Sequence, residues 1–522
     1  MLLFYNGTIH TMDSAQPRAD AVLVGDDGRI LRVGAADELA ASSAKRVDLG
    51  GRTLIPGFND AHVHIWKLGL LLTVQIDARG VSDIPSIVAQ FRERAAQTPV
   101  GGWLTGRGYN EADLAERRHL TLADLDAAST EHPIALTRTC GHMIVANSRA
   151  LALAGINANT PHPPGGVIVR DEHGEPTGLL QETAMGLLNV PTPDDDTLAR
   201  AIRAANQHQL TYGITSATDP LLTPDHLRVY RQLEADQALA VRVNGLPIRR
   251  PDAAEKITYP LPEKYVSPTL RIDTVKFFAD GGLSGATAAI SQPYKVTGEQ
   301  GVLRFERDEL LQMMWEAHAA GYRIATHAIG DVALEQVISV YETLYAHSPG
   351  STLRHRIEHL GLPDYWHLRR LKAINVIAVP QTVFLPALGT AFRRYLPDSF
   401  LNHCYPVRSM LDVGLTVALS TDAPVVPDDN PLLGIKAAQD RLDSHGEAIA
   451  PDEAITAQEA LYAYTMGGAI ASGDEDNRGS ITAGKWADLA ILSGDPLATA
   501  PEDVLNLHVE QTYMRGALVY ER

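Results

Sequence analysis

Hydrophobic positions near the N-terminus come in short runs broken by turn residues. LLFYNGTIHTMD, AVLVGDDGRILRVG and KRVDLGGRTLIPGF each predict strand structure, with Asn6-Gly7 and Asp26-Asp27-Gly28 as turns. The C-terminal end repeats the pattern in GSITAGKWADLAILSGDP and HVEQTYMRGALVYER. Neither end holds enough apolar residues to close a core by itself. Together they predict one small composite β-sandwich domain, residues 1–54 with 471–522. Between them, apolar strands alternate with amphipathic helical stretches. The strands fall at Ile55–Val63, Gly213–Thr218, Val241–Pro247, Ile272–Phe278, Arg323–Ala328, Arg354–Leu360, Val376–Pro380 and Thr416–Thr421. Helical periodicity marks Asp308–Ala320 and Val332–Tyr345. Repeated strand-then-helix units predict an α/β fold with a parallel sheet, and eight of them a (β/α)8 TIM-type barrel over residues 55–470.

The interval between the first and second of these strands is far longer than a barrel loop needs. It contains further strand-like runs at Trp103–Thr105, Ile134–Thr137 and Gly166–Arg170. This predicts an inserted subdomain, about residues 70–205, over the barrel mouth, because barrel enzymes vary by elaborating loops at that face.

Composition narrows the class of function. In 522 residues, 45% are hydrophobic and 21% charged, the balance of an ordinary globular enzyme rather than a disordered chain. The 45 Lys+Arg and 63 Asp+Glu leave a formal charge of −18. That surface repels phosphate backbones, and no basic cluster offsets it, which argues against a nucleic-acid partner. Cys140 and Cys404 are the only cysteines, too few and too far apart for a disulfide framework, and they fit a reducing compartment. The N-terminus lacks a basic region before its apolar residues, and no apolar run approaches the ~18 residues of a membrane span. The expectation is a cytoplasmic protein without a membrane partner.

Candidate chemistry gathers at strand ends. His62 and His64 form an H-V-H at the end of the first interior strand, where residues i and i+2 share a face. His327 closes YRIATHA, His359 closes RHRIEH, and Asp422 closes TVALSTD. In a barrel each of these positions lies at the catalytic rim. Lys276 lies between Val275 and Phe277 in a strand expected to be buried, where a lone ammonium is costly. It has two readings. One is a lysine salt-bridged inside the barrel mouth; the other is a lysine acidic enough to take up CO2 as a bridging carbamate.

These residues bring out a resemblance. The chain is similar to the amidohydrolase superfamily, whose pattern is H-x-H after strand one, Lys or Glu after four, His after five, His after six and Asp after eight. The PGFNDAHVH and GSITAGKWADLAIL contexts match as well. Within amidohydrolase family 3 it resembles the branch of YtcJ-like proteins and N-substituted formamide deformylase. GHMIVANSRALALAGI, GGVIVRDEHGEPTGLLQETA, VKFFADGGLSGATAA and THAIGDVALEQV carry that narrower likeness. One departure is Cys140, where many members have Asp before the Gly-His pair.

The resemblance implies a metal-dependent hydrolase acting on the C–N bond of a small-molecule amide, such as an N-substituted formamide or N-acyl compound. It implies divalent ions, zinc in type, at His62, His64, Lys276, His327, His359 and Asp422. With Lys276 carboxylated, two ions per chain are implied: one at His62, His64 and Asp422, the other at His327 and His359. With a plain ammonium, one ion is implied. A metal-bound hydroxide would attack, and Asp422 would carry its proton to the leaving nitrogen. A homodimer is the family habit. His142, Glu182, Asp280 and Cys140 are candidates for substrate contact. Asp331 is expected to orient His327 or to begin a helix, and Thr456-x-x-Glu459 has the form of a capping box. His119, His173, His226 and His445 lie in polar stretches and read as solvated. The competing readings are cyclic-amide hydrolysis, aminohydrolase action and a non-catalytic metal- or ligand-binding protein. Superfamily deaminases usually place Glu three residues after the fifth-strand His, and here that position is Gly330.

Overall fold

A computed structural model of the chain describes residues 1–39, 43–250 and 259–522. Strands from both ends of the chain meet in one eight-stranded sheet. Leu2–His10 pairs with Arg18–Val24, Lys45–Asp48 and Thr53–Pro56, and Thr53–Pro56 pairs in turn with Leu489–Leu492. Val509–Met514 and Ala517–Glu521 complete the C-terminal side. Hydrogen bonds link all eight strands into one continuous ladder, with Leu2–His10 changing partner along its length from Lys45–Asp48 to Thr53–Pro56. Phe4, Ile9, Leu54, Leu489 and Ile491 are among the buried side chains that give it a core of its own.

The interior strands form two five-stranded sheets. In the first, Phe58–Asp60, Ile214–Leu222, Arg242–Pro247 and Leu270–Ile272 run parallel in that order. In the second, Thr274–Phe278, Arg323–Ala328, Arg356–His359, Ile377–Val379 and Thr416–Val417 are parallel throughout. All six residues of Arg323–Ala328 are buried, as a parallel strand covered on both faces requires. Backbone contacts join the two sheets at both seams. Ile248 bridges Lys276 at one. At the other, Asp422 N–H donates to the His62 carbonyl at 2.7 Å, and Ala61 N–H to that of Leu419 at 3.4 Å. Helices Arg307–Ala319 and Asp331–His347 connect consecutive strands of the second sheet.

The first predicted strand, Ile55–Val63, is divided at Gly57, because the chain leaves the outer sheet there and enters the inner one. A Cβ at Gly57 would lie 2.2 Å from Thr215 Oγ1, so glycine permits the close passage. The long interval after this strand holds a six-stranded sheet of Gly166–Arg170, Pro176–Glu182, Met143–Ala146, Ile134–Arg138, Leu104–Tyr109 and Ile76–Asp77. Its last turn is pinned to the loop following Asp422, where Thr139 Oγ1 donates to the Val425 carbonyl at 2.5 Å. Thr456 and Glu459 form the reciprocal capping box of helix Ala457–Tyr462. No helix among the described residues is long and apolar enough to cross a membrane.

Candidate metal centre

Five chain segments deliver imidazole, carboxylate and amine groups to one buried region. His62 and His64 do not occupy the strand itself. They follow Phe58–Asp60, in the turn before helix Ile65–Thr73. Alternation along a strand therefore does not explain why they converge. The turn is shaped by Asp60, whose buried carboxylate accepts from His62 N–H at 3.2 Å, Thr421 N–H at 3.1 Å and Thr421 Oγ1 at 2.5 Å. One side chain thus ties the first interior strand to the segment carrying Asp422. His62 Nε2 and His64 Nε2 lie 3.5 and 3.3 Å from Asp422 Oδ1. His359 and Asp422 both have positive φ, 74° and 58°, a strained conformation for side chains of this kind that concentrates at functional sites.

Hydrogen bonds fix which ring nitrogen of three histidines is available. Glu358 accepts from His62 Nδ1, and Arg356 grips the same carboxylate at 2.6 and 2.9 Å. His359 Nδ1 donates to Gln381 Oε1 at 2.7 Å. Gln381 is oriented by its own amide nitrogen, which donates to the Val379 carbonyl and Ser420 Oγ. His327 Nε2 donates to the Gly281 carbonyl at 2.9 Å. The lone pairs left for a cation are Nε2 of His62 and His359 and Nδ1 of His327.

Electrostatics favour the same use. Burial pushes the imidazoles of His62, His64 and His327 well below the usual histidine range, and His359 down to about 3, so all four are neutral. Burial also raises the Asp422 carboxyl and lowers the Lys276 ammonium, each destabilised as an ion away from water. His64 Nδ1, Lys276 Nζ and Asp422 Oδ1 are buried without a hydrogen-bond partner. Ligand atoms of His62, His359 and Asp422 lie within 4.8 Å of one another, close enough to hold one ion. Neutral imidazoles, a carboxylate and unsatisfied buried polar atoms fit a borderline divalent cation such as zinc. The tightest trio takes His359 alongside His62, whereas the resemblance assigned these two histidines to separate ions.

The other sequence candidates divide. His142 and Glu182 reach the region from the insertion: His142 Nδ1 lies 3.0 Å from Glu182 Oε2, which also accepts from Arg304 at 2.9 Å. His142 stands over His327, with ring centroids 5.8 Å apart. Cys140 is a buried free thiol lining the same cavity. Asp280 is not among the residues that line the cavity. It is fully buried, and its carboxylate is saturated by the backbone N–H groups of Ala289, Ile329 and Gly330 at 2.8–3.1 Å, which folds the glycine-rich loop rather than leaving it free. Asp331 begins its helix and accepts from Ser291, without touching His327. His226 is buried in a capping box with Thr223, not solvated. Glu358, Gln381 and Arg304 were missed by sequence reasoning. For Glu358 a signal existed, since Arg356 and Glu358, on either side of Ile357, share one face of a strand expected to be buried.

The chain is similar to known proteins along nearly its whole length. The sequence profile described as "Amidohydrolase family" matches residues 45–520. Over 536 residues the chain is 32% identical to a putative amidohydrolase YtcJ of Bacillus subtilis, covering 100% of this chain and 99% of that one. Over 545 residues it is 31% identical to an N-substituted formamide deformylase of Arthrobacter pascens, covering 100% and 98%. The crystal structure of an uncharacterized metal-dependent hydrolase from Pyrococcus horikoshii superposes with a TM-score of 0.76 at 26% identity, covering 96% of this chain and 99% of that one.

Proposed function

The chain belongs to the amidohydrolase family, and from that premise we propose that it hydrolyses the C–N bond of a small-molecule amide, N-substituted formamides and N-acyl compounds included, with Asp422 as the proton carrier. The two parallel interior sheets are read as halves of one (β/α)8 barrel over residues 55–470, with the insertion at about 70–205 across its mouth. Residues 1–54 and 471–522 are read as its companion β-domain.

The observation that carries the reading is the meeting of His62, His359 and Asp422 within one ion's reach, with His64, Lys276 and His327 around them. In the two-ion form His62, His64 and Asp422 would hold one cation and His327 and His359 the other. Lys276, as a carbamate, would stand between them. A divalent cation there supplies Lewis acidity toward a carbonyl oxygen and acidifies water. The chain's own residues do the rest. Asp422 accepts a proton at its carboxylate and returns it to the departing nitrogen. Glu358 and Gln381 hold His62 and His359 in single tautomers. His142, Glu182 and Arg304 form a charged cluster at the mouth, where a substrate carbonyl or amide would pass.

Deamination is the weaker alternative on this scaffold. A Cβ at Gly330 would lie 1.8 Å from the Ala289 carbonyl oxygen, leaving no room for the glutamate that superfamily deaminases carry there. The test is turnover of an amide panel, including N-substituted formamides, by zinc-loaded protein and by Asp422→Asn. Turnover lost in the variant supports the reading; deamination without amide cleavage contradicts it.

A further inference from the structure

A buried cation beside the metal centre has no ion-pair partner among the described residues. Arg107 projects from strand Leu104–Tyr109 of the inserted subdomain and is 6% exposed. Its guanidinium lies against the Cys140–His142 turn: a Cβ at Gly141 would come within 2.9 Å of Arg107 Nη2. Arg107 Nε is buried without a partner, and among the described residues no hydrogen bond or ion pair reaches the guanidinium. It nevertheless lines the same cavity as His62, His64 and Asp422.

Every other buried arginine among the described residues is hydrogen-bonded or ion-paired; even Arg441, which has no acidic partner, donates to the carbonyls of Cys404, Tyr405 and Ile449. Arg138, on the neighbouring strand, holds Glu111 in a two-point grip at 2.6 and 2.9 Å, and Arg242 holds Asp488. Arg304, at the same cavity, holds Glu182. A buried guanidinium keeps its charge, and leaving its planar fork of donors empty is costly. Asp422, which lines the same cavity, attracts Arg107 without forming an ion pair with it. The fork therefore faces the reaction cavity with unused donors whose geometry matches a carboxylate.

A second compartment adjoins this cavity. It has a volume of about 370 Å3 and an apolar wall that includes Phe277, Leu303, Phe305 and Met313. Glu182, Lys276, Phe278 and Arg304 border both compartments. A substrate spanning the two would meet Arg107 in one and this apolar wall in the other.

We propose that the substrate is a carboxylate-bearing amide, its carboxylate held by the unpaired fork of Arg107 and its apolar portion lodged in the compartment walled by Phe277, Leu303, Phe305 and Met313. This rests on the amide-hydrolase reading and makes Arg107 the residue that sets specificity.

The experiment compares matched amides on zinc-loaded protein. One pair is an N-acyl amino acid and the N-acyl amine lacking its carboxylate; the other is the monoamide of a dicarboxylic acid and the amide of the matching monocarboxylic acid. The carboxylate member of at least one pair is expected to have a kcat/KM about 10- to 100-fold higher, with the preference falling toward unity in Arg107→Gln. Cys140→Asp, which sets an internal carboxylate beside Arg107, is expected to erode it in the same direction with Arg107 intact. Amide turnover with no preference in either pair overturns the proposal and leaves the hydrolase standing. Should no amide be cleaved, the hydrolase reading fails, and titration of 3-phenylpropionate into metal-depleted protein decides the anion site. Binding weakened at least about tenfold in Arg107→Gln upholds it, whereas absent or unchanged binding overturns it. Thermal melting of each variant separates misfolding from lost recognition.

Discussion

Glu358 accepts a hydrogen bond from His62 Nδ1, and Arg356 holds Glu358 in place from the opposite side. The contact turns His62 Nε2 toward Asp422 and keeps the ring in one tautomer. All three residues are essentially inaccessible to solvent, so the orientation is set before any ion arrives. Glu358→Gln is therefore expected to lower zinc affinity by about 10- to 100-fold, read by competition with a chromophoric chelator. Unchanged affinity in a folded variant would remove Glu358 from this role.

Asp422→Asn keeps an oxygen for metal binding and loses the proton acceptor. Metal content by elemental analysis is expected to persist while kcat falls by about 10²- to 10⁴-fold. A near-normal rate would exclude Asp422 from proton transfer.

Lys276→Ala removes the buried amine between the histidines. Metal content is expected to fall and to recover with added formate or acetate, which would stand in for the oxygens of the proposed carbamate. A variant holding two ions unaided would refute the bridging role.

Glu182 gives the acid limb of the stability profile. Burial alone would raise its carboxyl, but His142 and Arg304 outweigh that and hold it at about 2 against an ordinary 4.5. The folded value is the lower one, so the stabilisation is full above pH 4.5 and is lost as pH falls toward 2. The contribution is about 3 kcal/mol. Wild type is expected to lose more denaturant stability than Glu182→Gln across that window. Parallel losses would mean that the cluster does not hold the carboxylate.

Gly330→Ala tests the close passage that excludes the deaminase residue. Pressing a methyl group against the Ala289 carbonyl is expected to destabilise the protein by about 2–3 kcal/mol, seen as a lowered thermal midpoint.

Much of this was legible in the chain. Arg323–Ala328 and Gly166–Arg170 are strands with the bounds that their apolar runs predict, and His327 is the penultimate residue of the first. The division of Ile55–Val63 at Gly57 depends on Thr215, distant in sequence, and local periodicity cannot register it. His62 and His64 converge through a turn held by Asp60 and Thr421, a long-range contact, although their spacing suggested a strand. Asp280 looked available because glycines follow it, yet its carboxylate is consumed by three backbone N–H groups that only the folded loop brings together. Arg107 carried no signal, since an arginine in GRGYNE reads as a surface charge until the insertion folds over the centre.

The central claim is that these residues bind divalent metal for amide hydrolysis. Elemental analysis of metal per chain, on protein purified without chelators and then assayed for amide turnover, tests it most directly. The account predicts close to two ions per chain and turnover that chelation abolishes and zinc restores. No bound metal after incubation with zinc, or turnover indifferent to chelation, would contradict it.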